Sequence, residues 1–211
     1  MAAFLANVGV NAAHRVASPL FPDRSFELRP IPETLPWAPP MLRLPEVWGD
    51  RAVHLDPDLA GDPATYGDSC RTAGRAFSLR RALPGDVICF LARLQGDGSP
   101  GFYLVGLLEV VEVRPDVTSD PGAGWWDANA HVRRARAGGE WNSFWVFRGG
   151  AGSGLLRTAV PFGRREAERA LGGLGWPGHR SELQTIASHT RAIRRLTGEA
   201  ELFVRDLCGR S

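Results

Sequence analysis

The chain has 211 residues, of which 44% are apolar and 23% charged, and its formal net charge is +2. This composition is typical of a globular protein of about one domain, and it excludes a disordered tail. No apolar run approaches the roughly 18 to 20 residues that span a bilayer, and the first residues lack the basic flank of a signal peptide. We therefore expect a cytoplasmic protein with no membrane partner.

The basic residues are all arginine, because the sequence contains no lysine. This excludes a lysine Schiff base and a P-loop lysine, so any phosphate contact must come from guanidinium groups, which bind phosphate in bidentate fashion. A net charge of +2 is too small to predict nucleic-acid binding by itself. The three cysteines are widely spaced, which predicts buried free thiols rather than disulfides or a zinc site. We predict no cofactor.

The first part of the chain is predicted to contain short strands, loops and one helix. Alternating side chains indicate strands, dense proline indicates extended loop, and helical spacing of apolar residues after a capping residue indicates a helix. These patterns predict a strand at 4–11, a proline-rich extended segment at 17–45, a short strand at 52–59 and a helix at 69–82.

Residues 85–113 form the clearest element, a hairpin in which two apolar runs flank the turn GDGSP. Apolar side chains occupy both faces of the second run, so both faces need cover. A long strand that bends at Gly106, with the sheet interior on one face and helices on the other, meets this need. We predict an α+β fold, either a compact bent mixed sheet or a small PUA-like barrel, with flanking helices.

The last part of the chain is predicted to be mainly helical. A loop at 114–124 and a strand at 144–149 precede helices at 164–171 and 181–196, with Ser181 as the cap of the second. This predicts a first part at residues 1–163, built on the sheet, and a C-terminal helical extension at residues 164–211 packed on it.

Four segments occur in an order that resembles a known family: VGVNAAH…ASPLFPDRSFELRPIPE, HLDPDL, GDVICFLARL and YLVGLLEVVEV. Together they are similar to the nucleotide modification associated domain family, type three, over most of residues 4–163. The resemblance implies a setting in which modified nucleic-acid bases are made or handled. It implies nucleic acid or a nucleotide as partner, and protein partners in a modification or restriction system.

The hairpin alone resembles strand pairs of the PUA, ASCH and EVE superfamily, whose members bind RNA or modified bases in DNA. One departure from the type-three pattern concerns chemistry. Asn11 stands where the family pattern has an aspartate, which argues against an acid-base role at that position.

Three constellations are candidates for the functional site. In the first, Asn7 and Asn11 share a strand face near His14, and an amide can read the edge of a base because it offers donors and an acceptor. The alternative is that both amides satisfy backbone groups at a strand end.

The second constellation is His54 and Asp56 in HLDPDL, followed by Asp58. Their spacing of two places them on one strand face, where imidazole and carboxylate groups can bind a cation. A structural or ligand-orienting role is the favoured interpretation, with Asp58 in an Asx turn and Asp56 paired with an arginine, and we assign no metal.

The third constellation combines Trp141 and Trp145 with Asn142, preceded by Arg133 and Arg134. Tryptophan rings can stack on an extruded base, an amide can read its edge, and arginine can bind its phosphate. The alternative is a bulky aromatic core.

These patterns favour a module that recognises modified nucleotides or bases in DNA or RNA. One rival is a metal-assisted or acid-base enzyme of nucleotide modification that uses His14, His54, Asp56 and Asp58. Another is a structural subunit of a modification or restriction complex.

Overall fold

The computed structural model describes residues 1–8, 16–33, 46–49, 51–71, 74–98 and 100–209. These residues form a mixed α+β fold. The strands are β1 (Ala3–Val8), β2 (Ser18–Pro19), β3 (Ile31–Pro32), β4 (Val53–His54), β5 (Thr65–Asp68), β6 (Val87–Gln95), β7 (Gly101–Val117), β8 (Phe144–Gly149), β9 (Gly154–Pro161) and β10 (Arg194–Leu196). The α-helices are α1 (Ala130–Gly138), α2 (Arg164–Leu171), α3 (Glu182–His189) and α4 (Glu199–Cys208).

Eight of the strands form one mixed sheet. Its order is β10-β1-β6-β7-β8-β5, with β2 beside β6 and β9 beside β7, while β3 and β4 pair separately. β1 and β2 run parallel to β6, and the other pairs of the large sheet are antiparallel. This confirms the predicted α+β fold with a mixed sheet. Among the described residues the sheet is not closed into a barrel, because its outermost strands β10 and β5 do not meet.

The predicted bend lies in β7, close to Gly106. Gly106 pairs with Phe90, but the next residue of β6, Leu91, pairs with Leu104, so the register shifts at this point. A Cβ on Gly106 would lie 2.7 Å from the Cδ1 atom of Leu59 and 2.9 Å from the carbonyl oxygen of Gly154. Only glycine fits this close approach, and the bulge lets the long strand pass from β6 and β9 to β8.

Both faces of the β6–β7 hairpin are buried, as the sequence predicts. Ile88 and Phe90 point into one core, together with Tyr66. Cys89 and Leu91 point into a second core, which is covered by the helices α2, α3 and α4. The sheet is therefore the middle layer between two apolar cores.

Three predicted elements differ from the structure. A 3₁₀ helix at Phe77–Arg81 is the only helical element in the described part of residues 69–82, so the predicted helix there is wrong. β7 continues to Val117 into the predicted loop because it pairs with β8. The predicted helix at 181–196 ends at His189, and its last residues form β10 because they pair with the edge of β1.

Several elements, including β5, were not predicted. The segment with Arg133 and Arg134 forms α1, and the glycine-rich segment after residue 149 leads into β9. Residues 164–209 contribute β10 to the sheet as well as helices to its cover, and the division at residue 163 stays a prediction. The three cysteines are buried thiols, as predicted. None of the helices described is long and apolar enough to cross a membrane.

Candidate functional site

An open cavity of about 300 Å³ lies where the end of β5 and the start of β8 meet α1. Four of its lining residues, at positions 131, 134, 135 and 138, recur at helical spacing, so they form one face of α1. The remaining lining residues follow β5 or stand at the start of β8. The lining consists of Ser69, Arg71, His131, Arg134, Ala135, Gly138, Glu140, Asn142 and Phe144.

Helix α1 is fixed against β5 by its N-cap. The buried Asn129 side chain accepts a hydrogen bond from the backbone N–H of His131 at 3.0 Å and donates to Oγ1 of Thr65 at 3.1 Å. A Cβ on Gly67 of β5 would lie 2.6 Å from Cδ2 of His131 and 2.9 Å from Oδ1 of Asn129. The imidazole therefore lies directly on the strand backbone, at a place where only glycine leaves room.

The imidazole of His131 is held by Asp56. Its Nε2 atom is 3.2 Å from Oδ2 of Asp56, whose Oδ1 accepts from the N–H of Gly67 at 3.4 Å. Burial lowers the pKa of His131, but the hydrogen bond and charge of Asp56, together with the charge of Asp68, outweigh it. The pKa of His131 is raised although Arg134 opposes the rise, so the imidazolium form persists to higher pH than in an ordinary histidine.

Arg134 is held near the cavity by a buried acid. The Glu33 side chain, only 7% exposed, is 2.9 Å from Nδ1 of His54 and 3.7 Å from Nε of Arg134. Burial raises the pKa of Glu33, but the hydrogen bond and charge of His54, followed by the charges of Arg134 and His131, lower it overall. Glu33 is thus an ionised counter-charge beneath the cationic side of the cavity.

Arg71 joins the two strands at the cavity mouth. Its Nε and Nη2 atoms donate to the carbonyl oxygen of Asn142 at 3.2 and 2.9 Å, and Nη2 also donates to Oδ1 of Asn142. The amide nitrogen of Asn142 donates to Glu140 at 3.4 Å. The lining therefore carries two guanidinium groups and a readily protonated imidazole against one carboxylate.

A second polar network centres on Asp68, next to Ser69 of the lining, and includes Asn7. Asp68 accepts from the hydroxyl of Tyr66 at 2.7 Å and from Nε and Nη2 of Arg75 at 3.1 and 2.8 Å. Arg75 also donates to the carbonyl oxygen of Asn7, and the Asn7 amide donates to Oγ1 of Thr190. The Asn7 amide links β1 to the end of α3 instead of lining the cavity.

Several predicted site residues come together around α1. Arg134 and Asn142 line the cavity, Asp56 reaches it through His131, and His54 reaches it through Glu33. Arg133 lies on α1 outside the lining face. Asn11 and His14 lie outside the described residues.

The two predicted tryptophans lie in different clusters. The Trp141 ring stacks on Phe144, with centroids 6.2 Å apart, beside Val132. Trp145 packs on the first core, with the guanidinium of Arg80 5.8 Å from its ring. Strand β8 begins only at Phe144, so the alternation expected over EWNSFWVF does not extend back to Trp141.

Residues of the HLDPDL segment have separate partners. His54 faces Glu33 and Asp56 faces His131. Asp58 accepts from the N–H of Gly61, one residue further along the chain than the bond of the expected Asx turn. Within the described part of the chain no group of three His, Cys, Asp or Glu side chains is placed to hold a metal ion.

Sequence reasoning missed four polar groups of the site: Glu33, Arg71, His131 in its pairing role, and Glu140. A usable signal exists for His131, because Asn129 is a good N-cap and residues 131, 134, 135 and 138 follow it at helical spacing. The contacts of Glu33 and Arg71 join residues distant in sequence, and no local pattern marks them.

Together, fold and cavity define an α+β protein with a cationic, partly enclosed cavity at one end of a mixed sheet. Residues 3–196 match the family described as nucleotide modification associated domain 3, and the chain belongs to this family. The family resemblance found in the sequence is confirmed, and the match continues past residue 163 through β10. The family name associates the chain with nucleotide modification. No curated protein and no solved structure matches it.

Proposed function

We propose that this chain is a recognition module for modified nucleotides or bases, and that the cavity beside α1 is where it binds them. The observation that carries the proposal is the lining itself, in which Arg71, Arg134 and His131 face one cavity together with the amide of Asn142. Guanidinium and imidazolium groups bind phosphate oxygens, and an amide pairs with the edge of a base.

The size of the cavity supports a ligand of nucleotide dimensions. At about 300 Å³ it stands at the lower end of the range for small-molecule sites. Stacking contributes less than the sequence suggests, since Phe144 is buried and already covered by Trp141. Polar contacts from α1 and the two strand ends carry recognition. We propose that the module works in the cytoplasm, as part of a modification or restriction system.

Binding to matched nucleotides and oligonucleotides, with and without base modifications, tests this function. Titrations at low and moderate salt separate cavity binding from general attraction to phosphate, which weakens steeply with salt. Arg134→Gln is expected to weaken binding about tenfold or more, as for loss of a charge-assisted contact. Arg157→Gln removes the same charge at an exposed position of β9 that does not line the cavity, and serves as the matched control.

The proposal requires the two variants to differ. Equal, small and salt-sensitive losses in both would mean that only the general charge of the surface is used. If Arg134→Gln binds with unchanged affinity and still prefers the modified ligand, the ligand is recognised somewhere other than this cavity.

The Asp56–His131 pair favours a second candidate function, acid-base catalysis of nucleotide modification. A carboxylate that holds an imidazole through one nitrogen leaves the other nitrogen for proton transfer. Incubation of nucleotides with the wild type and with His131→Gln, followed by chromatography, tests this candidate. A product made by the wild type and lost in His131→Gln supports an enzyme, and unchanged nucleotides in both support the recognition module.

A further inference from the structure

Resting on the proposed function, we infer that the ligand of this cavity is a free nucleotide with a terminal monophosphate, not an internal nucleotide of a strand. The cavity joins three cationic side chains, Arg71, Arg134 and His131, from the end of β5 and from α1. Against them the lining carries one acid, Glu140. Two of the three already have a carboxylate partner outside the lining, Glu33 for Arg134 and Asp56 for His131. The number of donors in the cavity, more than its net charge, therefore fits a phosphate group.

Each of the three cations keeps donor capacity toward the cavity. Nε of Arg134 is 3.7 Å from Glu33, too far for a hydrogen bond, so the guanidinium is oriented without using its donors. Nε and Nη2 of Arg71 donate to Asn142, whereas its Nη1 makes no hydrogen bond to another described residue. Nε2 of His131 is paired with Asp56, and its Nδ1 makes no hydrogen bond to another described residue.

Three donors suit the terminal phosphate of a monoester. Such a group carries about −1.5 to −2 charges near neutral pH and presents three acceptor oxygens. An internal phosphodiester carries a single charge and leaves only two oxygens unbridged. Arg71, Arg134 and His131 can therefore satisfy a monoester fully and are mismatched to a diester.

Electrostatics and size argue against a longer ligand. The charged groups around His131 are Asp56 before β5, Asp68 at the end of β5, Arg134 on α1 and Glu33 after β3. Arg71 and Glu140 complete the charged lining of the cavity. Glu140 would repel a second phosphate placed beyond the first. A volume of about 300 Å³ is at the lower end of the range for small-molecule sites, so flanking nucleotides of a strand would lie outside the cavity.

The test compares probes that differ in the terminal phosphate alone. The probes are the common nucleosides, their 5′-monophosphates, dinucleotides with one internal phosphodiester, and modified oligonucleotides with and without a 5′-phosphate. We expect at least one monophosphate to bind about tenfold or more tighter than its nucleoside and the corresponding dinucleotide, as for a doubly charged group with several donors. His131→Gln should remove most of this gain, whereas Arg157→Gln should keep it.

The outcomes separate this inference from the proposed function. Binding of a modified oligonucleotide with no gain from a terminal phosphate overturns the inference and leaves the recognition module standing. Absence of binding to every probe by a folded wild type overturns both. Equal competition by inorganic phosphate and by every monophosphate keeps the phosphate subsite but overturns a nucleotide as its ligand.

Discussion

At the scale of single residues, Gly67 decides whether the site can form. Its missing side chain lets the imidazole of His131 and the amide of Asn129 lie on β5. We predict that Gly67→Ala lowers the free energy of unfolding by about 1 to 3 kcal/mol, as for overpacking at a filled position, and weakens ligand binding. Denaturant unfolding and nucleotide titration measure the two effects.

Gly154→Ala is the control for that substitution. Gly154 also lies in a strand, β9, but a Cβ there meets nothing within 4 Å. If both variants lose the same stability, the cost comes from replacing glycine in a strand and not from the contact with His131.

The charge of His131 makes stability depend on pH. Its pKa is raised in the folded state from an ordinary value of 6.5, despite burial, by Asp56 and Asp68. A raised histidine pKa adds stability that is complete below 6.5 and is lost as pH rises through the folded-state pKa. We therefore predict that the stability difference between wild type and His131→Gln shrinks as the pH rises above 6.5.

Ring-proton NMR gives an independent check on the same residue. The His131 resonance should titrate above 6.5 in the wild type and at lower pH in Asp56→Asn, which keeps the shape but removes the charge. An unchanged titration in Asp56→Asn would show that Asp56 is not the cause.

At the scale of elements, helix α3 owes its start to a local signal. The Ser181 hydroxyl accepts from the N–H of Gln184, and the Gln184 side chain accepts from the N–H of Ser181, which is a capping box. We predict that Ser181→Ala costs about 1 kcal/mol in the free energy of unfolding. Ser119→Ala, at an exposed residue in the loop after β7, should change stability much less, and equal losses would contradict a capping role.

The same scale shows which elements can be predicted from the sequence. α2, β8 and the start of α3 carry complete local patterns, and the sequence predicts them well. β10 carries no such pattern, because its extended form depends on pairing with β1 at the other end of the chain, where Leu5 pairs with Arg194 and Ala3 with Leu196. The predicted helix at 69–82 fails for the related reason that tertiary contacts override weak propensity.

The site is harder to predict than the fold because its contacts join distant segments. Arg134 and Asn142 could be selected as polar residues in a basic and aromatic stretch. The partner of Arg134, Glu33, lies in a proline-rich segment, and the partner of His131, Asp56, lies before β5. The pairing of β3 with β4 and the bridge between Asp58 and Thr65 position these two acids. The pairing of β5 with β8 and the cap of α1 bring the rest of the site to them.

At the scale of the whole molecule, the sheet is covered on both faces, and the last 46 described residues from 164 to 209 supply one of the covers. Val204 of α4 is fully buried, and Phe203 and Leu207 pack beside it. On the sheet they cover Leu5 and Leu91. We propose that these residues fold as one unit with the rest of the chain.

A chain that ends at residue 163 tests this unit directly. It lacks α2, α3, α4 and β10, so an apolar sheet face and the edge of β1 are exposed. Each large side chain that loses its burial costs about 1.5 to 3 kcal/mol, and several such losses exceed the roughly 5 to 15 kcal/mol that stabilise a domain. We predict that the shortened chain aggregates or shows no cooperative unfolding by circular dichroism, whereas a chain ending at residue 209 unfolds like the full chain. A soluble 1–163 chain with a cooperative transition would instead establish residue 163 as a domain boundary, with the C-terminal segment as an extension.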